Sequence, residues 1–83
     1  MRTPLLENLL EEIVQEIGRA KRKHPDCPTL HHAIAVIREE YLELEHEIFV
    51  DNKDRAAIDK EAIQLAATCI RLIMDVNLDS REG

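Results

Sequence analysis

The sequence predicts an all-α fold in a single domain, residues 1–83, on three observations. Glycine and proline are scarce, at 2 and 3 residues, far fewer turn signals than a protein built of short strands requires. Tyr41 and Phe49 are the only aromatic side chains, which leaves the core to Leu, Ile, Val and Ala and favours helices. Apolar residues also recur at three- and four-residue intervals along three long segments. A chain of 83 residues buries only about 60% of the surface its unfolded form exposes. The fold is therefore expected to be completed by homo-oligomerisation, as a dimer or tetramer.

Thr3-Pro4 supplies an N-cap and a proline suited to a first helical turn, and Leu6, Leu9, Leu10, Ile13 and Ile17 follow at helical spacing. Helix one is expected from Pro4 to Lys21 or Lys23. Gly18 weakens it by up to roughly 1 kcal/mol relative to alanine, marking either early fraying or a close helix contact. The two prolines of His24-Pro25-Asp26-Cys27-Pro28 end that helix, and Thr29 caps the next. Leu30, Ile34, Ile37, Tyr41, Leu44 and Ile48 then alternate four- and three-residue steps, which places one apolar stripe along a second helix of about twenty residues. Asp51-Asn52-Lys53-Asp54 is a capping-rich turn that returns the chain antiparallel. Helix three, from Ala56 to Val76, is apolar over two adjoining faces and suits a place between its own chain and a partner subunit. Helices two and three form the hairpin, with helix one packed across it. Residues 77–83 read as a frayed tail.

The net charge of −6 opposes binding to a nucleic-acid polymer, which needs clustered Lys and Arg. It does not oppose a nucleotide, because a cation held by carboxylates presents positive charge to phosphates. No run approaches the ~20 apolar residues of a membrane span, and the first residues lack the basic-then-apolar pattern of a secretory signal. The expectation is a soluble, cytoplasmic protein. Cys27 and Cys69 are expected to be reduced, with Cys69 in the core. His24, Cys27 and His31 lack the paired spacing of a structural zinc module.

The candidate chemistry lies on helices two and three. Glu40 and Glu43 are three residues apart, about 4.5 Å along the axis, on a row with Ala33, Val36 and Glu47 beside the apolar stripe. Glu61 and Gln64 repeat the spacing on helix three, on a polar row that continues through Thr68, Arg71 and Asp75. An antiparallel hairpin sets Glu61 opposite Glu43. Three carboxylates and one amide then converge on a hard-oxygen site suited to Mg2+ or Mn2+. Alone, the acidic run from Glu39 to Glu47 is the ordinary pattern of a solvated helix face, and Arg71 offers the carboxylates a purely structural partner.

Glu39-Glu40-Tyr41-Leu42-Glu43-Leu44, answered after a gap by Glu61-Ala62-Ile63-Gln64, resembles the MazG-like nucleotide pyrophosphohydrolases over residues 30–76. In that family a Glu-x-x-Glu pair on one helix faces Glu-x-x-Asp on the next. The resemblance implies an all-α, dimeric or tetrameric enzyme that uses magnesium to hydrolyse nucleoside triphosphates to monophosphates and pyrophosphate. It implies Glu40, Glu43 and Glu61 as metal ligands, with Gln64 at the fourth position, and Glu39 and Glu40 as the catalytic acids. Gln64 departs from the pattern, since the family has aspartate there. An amide oxygen still coordinates a hard cation but adds no charge and cannot act as a base. Asp75 lies eleven residues on, about 16 Å along the helix, too far to replace it.

Positive charge is concentrated in Arg19-Ala20-Lys21-Arg22-Lys23, where Lys21 and Lys23 are candidates for phosphate oxygens, or simply complete a helix C-terminus. Lys53 and Lys60 near the second turn are further candidates. Two rival readings stand beside the enzyme: an inactive relative that binds nucleotide or metal, and a helical assembly module.

Overall fold

The structure, a computed structural model, describes residues 3–23 and 29–76. Three helices and no strand are found among them: α1, Pro4–Lys23; α2, Leu30–Phe49; and α3, Arg55–Arg71, which runs on into a π-helical turn, Leu72–Val76. His24 and Cys27 of the proline-containing loop and the tail lie outside the described residues. None of the described helices is long and apolar enough to cross a membrane.

Each start is fixed by the residue the sequence offers for it. The Thr3 hydroxyl accepts from the Leu6 amide at 3.1 Å, and that of Thr29 accepts from the His32 amide at 3.0 Å. Asp54 Oδ1 accepts from the Ala56 and Ala57 amides at 3.0 and 3.4 Å, so α3 begins at Arg55, one residue before the expected start. Such caps stabilise a helix by about 1 kcal/mol each. Gly18 lies well inside α1, and a Cβ built there meets only the Arg22 guanidinium, at 3.6 Å. Among the described residues no close helix contact explains the glycine.

Helices α2 and α3 form the hairpin, closed by residues 50–54. Their register is antiparallel: Glu43 meets Glu61, and about one and three turns back along α2, Glu40 and Ala33 share a cleft with Gln64, Ala67 and Arg71. Helix α1 packs along α3, and its last turn is tied to the end of that helix. Lys21 Nζ lies 3.3 Å from Asp75 Oδ1, while Arg71 Nε donates to Asp75 Oδ2 at 2.9 Å. α3 is thus central within the chain, flanked by α1 and α2.

The core departs from expectation. Among the described residues only Ala33 and Ala67 are fully buried. The apolar stripe of α2 does not face α3: Leu30, Ile34, Tyr41 and Ile48 are exposed, Ile34 to 56%, and only Ile37 and Leu44 are half-buried. The row α2 turns inward is instead Ala33, Val36, Glu40 and Glu47, all buried or half-buried. Cys69, expected in the core, is exposed as a free thiol, because it lies on the same outward edge of α3 as the exposed Ala62 and Ile73.

Candidate metal centre

The hairpin register brings Glu40, Glu43 and Glu61 together. One carboxylate oxygen from each lies within 4.8 Å of the others, the only grouping of three or more His, Cys, Asp or Glu of this kind among the described residues. Glu40 and Glu61 are half-buried and Glu43 is exposed, so the group sits at the hairpin edge, open to solvent on one side. Glu40 Oε2 and Glu61 Oε2 are each buried without a hydrogen-bond partner. Orphaned buried oxygens of this kind are rare in folded proteins and costly.

The electrostatics follow. Burial, then the neighbouring Glu43 and Glu61 carboxylates, a hydrogen bond with Glu43 and the more distant Glu16 push the Glu40 carboxyl up to about 7 from its ordinary 4.5. Burial also raises Glu61, with Glu43 and Glu47 adding to the shift and Lys60 opposing it. Like charges crowded at a low-dielectric edge favour a bound proton or a cation.

Beside the carboxylates, α1 and α2 flank α3 across a cleft of about 500 Å³. Glu39, Glu40, Gln64 and Thr68 line it, so the amide expected as the fourth ligand shares the cavity of Glu40. The Thr68 hydroxyl donates to the Gln64 backbone carbonyl at 2.7 Å and leaves the Gln64 side chain to the cleft.

The expected phosphate ligands are scattered. Lys23 lines the cleft. Lys21 is engaged by Asp75, and Lys53 donates to the Val50 carbonyl in the turn at 3.3 Å. Lys60 sits in a separate groove between α1 and α3 with Glu12 and Asp59. Three further basic residues line the cleft instead: Arg19, His32 and Arg71. Spacing held the signal for two of them, since His32 and Glu39, like Gln64 and Arg71, are seven residues apart and share a helix face. Arg71 is the better placed, with a side chain only 11% exposed and an orientation fixed by Asp75. Although burial acts to raise the Asp75 carboxyl, hydrogen bonds from Arg71 and Lys21 hold it below its ordinary value. Comparison with known protein families, with curated proteins and with solved structures gives no match for this chain.

Proposed function

We propose that the chain is a metal-dependent nucleoside triphosphate pyrophosphohydrolase of the MazG-like type, working as a homodimer or homotetramer. The observation that carries this reading is the convergence of Glu40, Glu43 and Glu61, with buried oxygens of Glu40 and Glu61 left without a protein partner. Carboxylate oxygens so placed are hard ligands of the type Mg2+ and Mn2+ take. Gln64 fits as a neutral fourth ligand from the same cleft.

A divalent ion held there supplies Lewis-acid charge to phosphate oxygens and to water. The chain's own residues do the rest. Glu40, Glu43 and Glu61 fix the ion's position, and Glu39, on the cleft wall next to Glu40, accepts the proton of the attacking water. A new P–O bond forms to water, the bond to pyrophosphate breaks, and the leaving group carries off the electron pair. The uncovered stripe of α2 supports assembly, because exposed apolar surface of that extent on a small chain marks an interface.

Pyrophosphate release from nucleoside triphosphates with Mg2+ or Mn2+, on the native chain, Glu43→Ala and Gln64→Asp, tests the reading. Turnover by the native chain that falls by more than about 100-fold in Glu43→Ala, on the order of 3 kcal/mol of transition-state stabilisation, is expected. Activity only in Gln64→Asp would identify a relative disabled by loss of one ligand charge. Silence in all three returns the chain to the second reading, a helical assembly module, which the exposed stripe favours on its own.

A further inference from the structure

The cleft is lined by the acids Glu16, Glu39 and Glu40 and by four basic side chains that have no part in holding a cation. Arg19 and Lys23 reach it from the last two turns of α1, His32 from the first turn of α2 and Arg71 from the last turn of α3. Three helices thus deliver four basic side chains to one cavity in a chain whose net charge is −6. Along α2, His32 is eight residues before Glu40, about 12 Å of helix, and Arg71 is seven residues beyond Gln64, about 10 Å. Arg71 is turned toward Asp75, four residues farther along, so the basic and carboxylate groups lie about 10 to 12 Å apart along one cleft, a span that one short chain of phosphates bridges.

The basic side chains also differ in what holds them. Arg71 is braced: Asp75 takes its Nε, and Lys21 in turn binds the other Asp75 oxygen. Arg19 is paired with Glu16, which lines the same cleft. Lys23 and His32 stand at the rim, both exposed. A braced, largely buried guanidinium with exposed cations beside it is an arrangement suited to a ligand with several anionic oxygens rather than one.

We infer that Arg19, Lys23, His32 and Arg71 form a phosphate subsite, which takes the phosphates of a polyphosphate ligand farthest from the carboxylates. Asp75 acts as a positioning residue through Arg71. The inference rests on the cleft reading above, yet it requires no metal, so the two can fail separately.

The probe is inorganic tripolyphosphate in excess EDTA, with binding followed by calorimetry and by the ring-proton resonances of His32. The native chain is expected to bind it and shift His32. Arg19→Ala with Lys23→Ala, at two exposed positions that leave the fold intact, weakens binding at least tenfold, while Lys53→Ala at the turn leaves it unchanged. Asp75→Asn weakens it less, and Glu43→Gln does not weaken it. Absent binding by the native chain, or equal weakening by Lys53→Ala and the double variant, overturns the subsite. Stabilisation by Mg2+ without any nucleotide, measured in parallel, reports on the carboxylates alone: binding of tripolyphosphate without a Mg2+ effect keeps the subsite and removes the metal reading.

Discussion

The two long faces of α2 invert the usual division of labour on a helix. One face, Ala33, Val36, Glu40 and Glu47, turns to α3 and carries carboxylates into partial burial. The other, Leu30, Ile34, Ile37, Tyr41, Leu44 and Ile48, is apolar at regular heptad spacing and stays largely uncovered. An amphipathic helix in a self-sufficient domain buries its apolar stripe and solvates its charges. The difference teaches that packing within this chain is not what satisfies α2. The acidic edge leaves an oxygen of Glu40 and of Glu61 without a hydrogen-bond partner and the apolar face is mostly exposed, and the proposed cation and second protomer answer one each.

The largest test of this contrast is at the apolar face. Ile34→Glu with Tyr41→Glu is expected to turn an assembled protein into monomer in sedimentation velocity and to lower Tm. Each lost apolar contact is worth on the order of 1 kcal/mol per protomer, given side chains already half exposed. A native chain that sediments as monomer, with the same Tm as the variant, would show that the stripe has no partner among its own copies.

The acidic face is sharpened by pH. Glu40 titrates near 7 in the folded chain and at its ordinary 4.5 when unfolded. Between those values the folded state holds a proton that the unfolded state has released, so stability falls as pH rises through the window and is lowest above it. Asp75, shifted the other way, loses stability only as pH falls below its ordinary 3.8. Thermal melts in EDTA should show Tm declining from pH 5 to 8. Glu40→Gln should flatten that decline, and a slope identical in the variant would remove Glu40 as its cause. With Mg2+ at pH 7.5, the native chain should regain about 2.7 kcal/mol at a hundredfold excess over Kd.

The smallest effect lies away from both faces. Gly18→Ala adds a Cβ in ordinary contact with Arg22 alone and should stabilise α1 by up to about 1 kcal/mol, read as a rise in denaturation midpoint with assembly unchanged. Destabilisation would reveal a constraint that the surroundings of Gly18 do not show.

Much of this was legible in the sequence, for local reasons. Thr3, Thr29 and Asp54 announced the helix starts because capping depends on neighbours a few residues away. The Glu40, Glu43 and Glu61 grouping followed from helical spacing plus one chain reversal. The inward face of α2 was not legible, since a stripe periodic enough to pack looks the same whether its neighbour is the same chain or another. Cys69 was misplaced for the same reason: apolar neighbours in sequence do not say which edge of α3 is covered. Arg71 was legible on the polar row of α3 and His32 at the start of α2, but that they meet Arg19 and Lys23 in one cleft depends on three helices packing together, which spacing on single helices does not encode.

The π-helical turn at Leu72–Val76 carries a consequence for how this stretch of chain tolerates change. A wider turn accommodates one more residue than an α-helical one, so what it encodes is length more than composition. Substitutions at the exposed Ile73 or Met74 leave the path of the chain intact. Deleting a single residue between Arg71 and Asp75 shortens their four-residue spacing to three, and the same deletion shifts Asp75 relative to Lys21. A lesion of one codon there would loosen the brace behind the floor of the cleft.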